Sequence, residues 1–307
     1  MTVEIKHQQI AYHDWEAATY EDKFSIAFDQ RCIDYAIARF RKAVPPHIAA
    51  SDVLEIGAGT GFLSINLALG GYLQGARICA TDISSGMLDR YRANASRHQL
   101  DADVVTADVE ALPFADSEFD LVIGHAVLHH IPIPGLALRE IQRVLRPGGR
   151  LMIAGEPTYA GERITSAVKR VTAGTVRWLG SRAVGPRVGI ALRGDAQTQH
   201  DPVASLEHEV DLHTFRPTDL AHMADVAGFV DVQVITEELL SNWFGWSVRT
   251  IEGMVDTARC YPRWPSQVFR VYQRLNRLDE TVMPHVVPRA LFYNAILAAR
   301  KPRVAPS

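Results

Sequence analysis

The 307-residue sequence has only three cysteines, Cys32, Cys79 and Cys260, odd in number and far apart. That spacing suits neither a disulfide framework nor a metal site with paired thiol ligands, so reduced thiols and no bound metal are expected. Excess positive charge is also lacking: 32 Lys and Arg stand against 35 Asp and Glu, for a net charge of -3. Such a balance cannot neutralise a long run of phosphates, and nucleic acid is not the expected partner. The opening MTVEIKHQQIAYHDWE has no apolar core of a secretory signal. Nowhere is there an apolar run of the roughly 18 residues a membrane span needs, so no transmembrane segment and a cytoplasmic location are expected.

What is present is ordinary for a globular enzyme: 47% hydrophobic and 22% charged residues. From about 50 to 157, apolar segments alternate with helical ones, as VLEI, GFLSINLAL, ARICATDI, SGMLDRYRANA, VVTAD, FDLVIGHAV, LALREIQRVL and RLMIAGE. Alternation at this spacing predicts parallel strands with crossover helices. Gly148 and Gly149 follow the helix carrying Leu138, Ile141 and Leu145, where a left-handed helix cap is expected. Residues 13 to 42 read as helical and stop before Pro45 and Pro46, which makes 1–49 a helical cover rather than a separate domain. The rest divides into a core over 50–158, a helical insertion over 159–210, and a core helix and strand over 211–237. An aromatic-rich helical insertion over 238–289 and a final strand with tail over 290–307 complete the chain. Pro217 opens the core helix and Gly228 closes it. Long insertions in a compact fold usually carry function, and both are expected to act as lids over a substrate.

The strongest local signal is Val53-Leu54-Glu55-Ile56-Gly57-Ala58-Gly59-Thr60-Gly61-Phe62, an apolar strand running into a glycine turn and then a helix. Glycines there let the backbone turn tightly and approach a ligand. A dinucleotide fingerprint would place its third glycine where Phe62 stands, which disfavours a nicotinamide-dependent oxidoreductase. Asp82 ends the next strand at roughly the 20-residue spacing of nucleoside-binding folds, and its carboxylate can accept from both ribose hydroxyls. Asp108, in Ala107-Asp108-Val109-Glu110-Ala111-Leu112-Pro113-Phe114, ends a further strand and can accept from an adenine amino group.

These elements, with Phe119-Asp120-Leu121-Val122 and Leu145-Arg146-Pro147-Gly148-Gly149, resemble the successive motifs of class I S-adenosylmethionine-dependent methyltransferases. The resemblance is nearest to the branch of the ubiquinone and menaquinone biosynthesis C-methyltransferases, the methyltransferase type 11 branch. It covers 50–157 well and continues weakly through Phe215-Arg216-Pro217, Ala227-Gly228-Phe229 and Ala299-Arg300-Lys301-Pro302. It implies an α/β, Rossmann-like seven-stranded sheet, mostly parallel with an antiparallel last strand, and S-adenosyl-L-methionine as cofactor. By position it implies a cofactor site drawn from Glu55, Gly57, Ala58, Gly59, Gly61, Asp82, Ile83, Met87, Asp108, Val109 and His125. In that site the glycines border the methionine part, Asp82 the ribose, Ile83 and Met87 the adenine faces, and Asp108 with the Val109 amide the adenine edge. His125 lies beside the sulfur.

Methyl transfer is an in-line displacement that needs alignment, water exclusion and sometimes removal of a proton, with no nucleophilic side chain or metal. No Asn-Pro-Pro-Tyr type sequence follows Phe119-Asp120-Leu121-Val122-Ile123, which argues against methylation of amino groups on bases or glutamine. Oxygen or carbon of a small molecule fits better. His129 and His130 are candidates for a general base, and Glu156 at the end of the fifth strand faces the same region. Against this, Leu128-His129-His130-Ile131 is a common filler at this place in the family, and Glu156 can equally bind a lid residue.

From Glu162 to Leu179, the residues Ile164, Ala167, Val168, Val171, Thr175, Trp178 and Leu179 recur at helical spacing, with Arg163, Lys169, Arg170 and Arg177 on the other side. Two readings stand: an apolar stripe packed on the domain, or a basic amphipathic helix making peripheral membrane contact or gripping an acidic substrate. Trp243, Phe244, Trp246, Tyr261 and Trp264 are either an apolar substrate wall or core of the second insertion. The acceptor expected from both insertions is apolar or lipid-like. A non-catalytic S-adenosylmethionine-binding module is the remaining alternative.

Overall fold

The structure, a computed structural model, describes residues 2–45, 50–181, 210–255 and 264–303. Strands β1 (Asp52–Ile56), β2 (Arg77–Asp82), β3 (Asp103–Thr106), β4 (Phe119–His125), β5 (Leu145–Pro157), β6 (Val230–Glu237) and β7 (Asn294–Arg300) form one sheet. Its order is β3-β2-β1-β4-β5-β7-β6. Strands β1 to β5 pair in parallel, with Leu54 opposite Cys79 and Val122 as examples of the register. The last strand, β7, runs antiparallel, and Lys301 beyond it exchanges backbone hydrogen bonds with Gly148 and Gly149. Sequence alternation foresaw the parallel strands because each central strand is covered on both faces and reads as a continuous apolar run. Val53, Leu54 and Ile56 of β1 and Leu121, Val122 and Ile123 of β4 are all fully buried.

The crossover helices are α4 (Phe62–Leu69), α5 (Ser85–Arg97) and α6 (Pro134–Val144). Gly61 starts α4 at φ 96, and the Ser84 hydroxyl caps α5 by accepting the Met87 amide. Before the sheet lie α1 (Thr2–Glu16), α2 (Tyr20–Phe24) and α3 (Gln30–Ala43). The single helical span expected over 13 to 42 is therefore three helices, beginning much earlier. Ser25, at φ 54, ends α2, and the Asp29 carboxylate caps α3 through the Cys32 amide. The residues of α1 are polar with little periodicity, and tertiary contacts rather than an apolar stripe decide its place.

The cap expected at Gly148 and Gly149 is corrected as well. Helix α6 ends at Val144 with an extended Leu145, and both glycines lie inside the span of β5. Phe119 pairs with Leu145 and Leu121 with Arg150, so β5 bulges between those pairs. Gly148 takes φ +84 there, and a side chain on Gly149 would meet the carbonyl oxygens of Arg146 and Asp120 at 2.8 and 3.1 Å. The glycines make room for a bulge rather than a helix end.

The chain divides into two compact units, one comprising Met1–Glu156, Asp201–Ile235 and Ala295–Ser307, the other Pro157–His200 and Thr236–Asn294. The first holds most of the sheet and helix α8 (Pro217–Val226), after which Gly228 adopts φ +93. The second packs α7 (Tyr159–Ser181) against α9 (Leu240–Met254), and α9 against α10 (Trp264–Thr281). Buried Asp279 accepts the amides of Leu239, Leu240 and Ser241 and the Ser241 hydroxyl, and so caps α9. Buried Thr165 of α7 meets Asn242 of α9 at 2.7 Å.

The expected apolar stripe of α7 is only partly its packed face, with Ile164, Val168 and Leu179 half-buried. Gly161, Thr165 and Val176 are buried, whereas Ala167, Val171, Thr175 and Trp178 are exposed beside Arg163, Arg170 and Arg177. Small and polar residues let α9 approach, and Asn242 satisfies Thr165, a pairing that hydrophobic periodicity does not register. Tyr261 of the expected aromatic wall, the side chain of Trp264 and residues 182–209 of the first insertion lie outside the described residues.

Candidate active site

A cavity lies in the first unit at the carboxyl ends of β1, β2, β3 and β4. Such a place, where the strand order reverses between β1 and β4, is where open α/β sheets bind ligands. Gly57 and Gly59 line it after β1, Asp82, Ile83 and Met87 after β2, Asp108 and Val109 after β3, and His125 at the end of β4. His130 lines it too. Three motifs separated by dozens of residues thus meet around one space.

The three glycines do different work. At Gly57, φ +56, a Cβ would lie 2.2 Å from Val127 Cγ2, and at Gly61 it would lie 2.4 Å from Ile65 Cδ1. At Gly59, φ +52, the nearest atom is Tyr20 Cε1 at 4.0 Å, across the cavity wall. Asp82 ties the loop to β2: Oδ2 accepts the Gly59 amide and Oδ1 the Ser84 amide, both at 2.9 Å. Each oxygen keeps lone-pair capacity for a further donor. Desolvation pushes the Asp82 carboxyl up, against the lowering effect of these amides.

Glu55, Ala58 and Gly61 do not line the cavity. Glu55 is buried, its Oε1 accepts the Ser64 amide at 3.3 Å, and burial pushes its carboxyl up to about 7. Ala58 donates its amide to Thr81 and accepts from Gly61, which fixes the loop from behind. Near Asp108 the arrangement is also fuller than foreseen. Its Oδ1 accepts the Glu110 amide, while Oδ2 sits 2.5 Å from Nζ of Lys6, which also pairs with Glu110 at 2.5 Å.

Lys6, Gln9 and His13 of α1 and Tyr20 of α2 line the cavity and were not foreseen. Asp14 of the same helix accepts from the Ser84 hydroxyl and the Gly86 amide at the start of α5. The one available signal was the i, i+3, i+7 spacing of the polar residues Lys6, Gln9 and His13, which an apolar criterion passes over. His125 packs edge-on between Phe62 and Tyr35, with ring centroids 4.9 and 5.9 Å away. Phe62 therefore occupies by packing the place a dinucleotide loop leaves to glycine.

Glu156 and His129 are buried behind the wall rather than on it. Oε1 of Glu156 accepts the amides of Val127 and Leu128, and Oε2 the amide and Nδ1 of His129. Burial raises the Glu156 carboxyl, but the His129 imidazole and these amides outweigh it and leave it below the ordinary range. His130 stacks on His129 at 4.0 Å, with Nδ1 3.0 Å from the Val210 carbonyl oxygen and its ring 5.1 Å from that of His13. Desolvation, helped by the neighbouring imidazoles, holds His130 well below the usual histidine range, so it is neutral near pH 7.

Residues 54–153 match the family described as Methyltransferase domain. Over 170 residues the chain is 34% identical to the ubiquinone/menaquinone biosynthesis C-methyltransferase UbiE of Roseobacter denitrificans, covering 54% of this chain and 63% of that protein. It is 32% identical over 144 residues to the malonyl-[acyl-carrier protein] O-methyltransferase of Legionella pneumophila, covering 44% and 50%. With the biotin biosynthesis bifunctional protein BioHC of Cellvibrio japonicus it shares 37% identity over 138 residues, 45% of this chain and 25% of that protein. The matched stretches thus span 25% to 63% of these relatives' lengths. Among solved structures, phosphoethanolamine N-methyltransferase 2 of Haemonchus contortus with S-adenosyl-L-methionine superposes with a TM-score of 0.57 at 15% identity, covering 94% of this chain and 57% of that one. The [4+2]-cyclase SpnF gives 0.51 at 17%, covering 89% and 81%. Identities this low establish the fold alone. Over residues 54–153 the chain is thus similar to class I S-adenosylmethionine-dependent methyltransferases of the UbiE-like branch, and S-adenosylmethionine is the cofactor this likeness supports.

Proposed function

We propose that this protein transfers the methyl group of S-adenosylmethionine to an oxygen or carbon of a small, apolar or lipid-like acceptor. The observation that carries the reading is the single cavity in which Gly59, Asp82, Asp108 and His125 meet at the ends of four parallel strands. The Gly57 and Gly59 backbone borders the methionine part, Asp82 takes the ribose hydroxyls, and Ile83 and Met87 flank the adenine. Asp108 and the Val109 amide take the adenine edge, and His125 stands beside the sulfur. Glu55, Ala58 and Gly61 hold this loop from behind.

The cofactor supplies a carbon already activated by a sulfonium. The protein's part is alignment, exclusion of water and removal of a proton from the acceptor. Of the three imidazoles on the wall, His13, His125 and His130, His130 is the one assigned to take that proton, while Glu156 and His129 fix the turn that presents it. The oxygen-or-carbon assignment is supported by the C-methyltransferase and O-methyltransferase named above. The apolar character is supported within the second unit by Val171 and Trp178, exposed on α7 at 69% and 52% beside a row of arginines.

Isothermal titration with S-adenosylmethionine and S-adenosylhomocysteine tests the cofactor site, with saturable one-to-one binding expected. Transfer of labelled methyl from the cofactor into a panel of demethylated quinols, acyl carrier protein thioesters and polar amines tests the acceptor. Label in the amines alone would refute the apolar reading, and label in none would leave a non-catalytic binding module.

A further inference from the structure

The fold brings Asp211 to the two adjacent histidines that follow β4. One Asp211 carboxylate oxygen, Oδ1, lies 3.4 Å from Nδ1 of His130 and 3.8 Å from Nε2 of His129, and the three ligand atoms all lie within 4.8 Å of one another. Neighbouring residues seldom reach one point. These do because His130 offers the nitrogen near its backbone and His129 the nitrogen at its far end.

We propose that His129 Nε2, His130 Nδ1 and the Asp211 carboxylate form a binding site for a divalent first-row transition ion such as zinc, iron(II) or cobalt(II). Two imidazoles and one carboxylate are the donor set such ions take, whereas magnesium and calcium prefer oxygen alone. Ligands about 2.0–2.1 Å from a tetrahedral ion stand roughly 3.3 Å apart, so the two separations to Asp211 need only a small contraction. The surroundings supply what a ligating histidine requires. Nδ1 of His129 is held at 3.0 Å by the buried Glu156 carboxylate, which fixes the tautomer that leaves Nε2 free of its proton and aimed at Asp211. Two carboxylates near the ion, Glu156 and Asp211, balance its charge. The Val210 carbonyl would give up its contact with His130 Nδ1 but keeps the Gln9 amide at 2.7 Å.

Three protein ligands leave a coordination position open, and His130 lies on the cavity wall. An acceptor oxygen bound there would lose its proton to water more readily, because the ion stabilises the oxyanion. In the loaded protein this polarisation, rather than the imidazole itself, would ready the acceptor. That use rests on the methyltransferase reading; the existence of the site does not.

The test is titration of the full chain, stripped with chelator, by cobalt(II) in the absence of cofactor and acceptor, followed by visible d–d absorption. Saturation at one equivalent is expected, with zinc displacing the cobalt and magnesium failing to do so. Asp211→Asn, an exposed change that spares the fold, and His130→Ala should each weaken binding more than ~10-fold, since even outer partners of metal ligands are worth about 10- to 100-fold. A spectrum that does not saturate, or equal affinity in both variants, would overturn the site. S-adenosylmethionine titrated into the same stripped protein reads the methyltransferase proposal separately.

Discussion

Oε2 of Glu156 lies 3.0 Å from Nδ1 of His129, and the same carboxylate gathers the amides of Val127, Leu128 and His129. A fully buried acid therefore anchors the turn that carries His130. Glu156→Gln replaces one acceptor oxygen by an amide donor facing other donors. A loss of about 2–3 kcal/mol at pH 7 is expected, as for hydrogen bonds to charged groups. The sign with pH follows from the carboxyl being held below its ordinary range. Its stabilisation is complete above that ordinary value, roughly 4.3, and is lost as pH falls through the lower folded-state value. Urea unfolding of both proteins should show the gap at pH 7 and its narrowing in acid; a gap independent of pH would remove the charged anchor.

Lys6 bridges Asp108 and Glu110 at the edge of the cavity. Lys6→Met leaves two neighbouring carboxylates without their shared cation, so the loop that presents Asp108 and the Val109 amide should loosen. Affinity for S-adenosylmethionine should fall roughly fivefold, about 1 kcal/mol, the upper range for a pair open to solvent. Lys6→Arg should retain most of it. Calorimetry at low and high salt checks both points, and equal affinity of wild type and Lys6→Met would show that the bridge is irrelevant to the cofactor.

Gly57 and Gly59 separate folding from binding. Both have positive φ, but a methyl on Gly57 would run into Val127 while one on Gly59 meets nothing closer than 4.0 Å. Gly57→Ala should therefore lower the melting temperature strongly, by overpacking of about 1–3 kcal/mol on top of backbone strain. Gly59→Val should cost less stability and abolish cofactor binding by filling the cavity. Asp82→Ala should likewise remove binding, since two hydrogen bonds to a charged acceptor are worth about 1.5–3 kcal/mol each. Thermal melts beside calorimetry distinguish the cases; unchanged binding in Gly59→Val and Asp82→Ala would detach this loop from the cofactor.

The parts of this molecule legible in its sequence were those set by repetition or by a single residue's geometry. The runs from Val53 to Ile56 and from Leu121 to Ile123 are buried on both faces, and they announced parallel strands. Gly57, Gly59, Asp82 and Asp108 were legible because each stands at or just beyond the end of a strand. Partnerships across the chain were not. Nothing near Lys6 indicates that it meets Asp108, nor anything near Asp211 that it meets His130, because such pairs depend on how elements dock. Helix α7 misled for a related reason: Thr165 is buried because Asn242 satisfies it, while Ala167, Val171 and Trp178 of the apolar stripe were left outside.

That outer face of α7 carries the last prediction. Arg163, Arg170 and Arg177 recur every seventh residue and form one row, and exposed Ala167, Val171 and Trp178 form the row beside it. A row of cations next to an apolar row is what an interfacial helix presents to an anionic bilayer, with Trp at headgroup depth and Arg on phosphate. No helix among the described residues is long and apolar enough to cross a membrane, so contact of this kind would be peripheral. The protein should therefore co-sediment with vesicles rich in phosphatidylserine and not with neutral ones. Each arginine near the surface contributes about 1 kcal/mol, so a double change of Arg170 and Arg177 to Gln should weaken binding roughly 10- to 30-fold. Trp178→Ser should weaken it further at unchanged charge, and high salt should reverse the arginine contribution alone. Sedimentation indifferent to lipid charge and to all three substitutions would return α7 to the role of a solvated helix and remove the support it lends to a lipid-like acceptor.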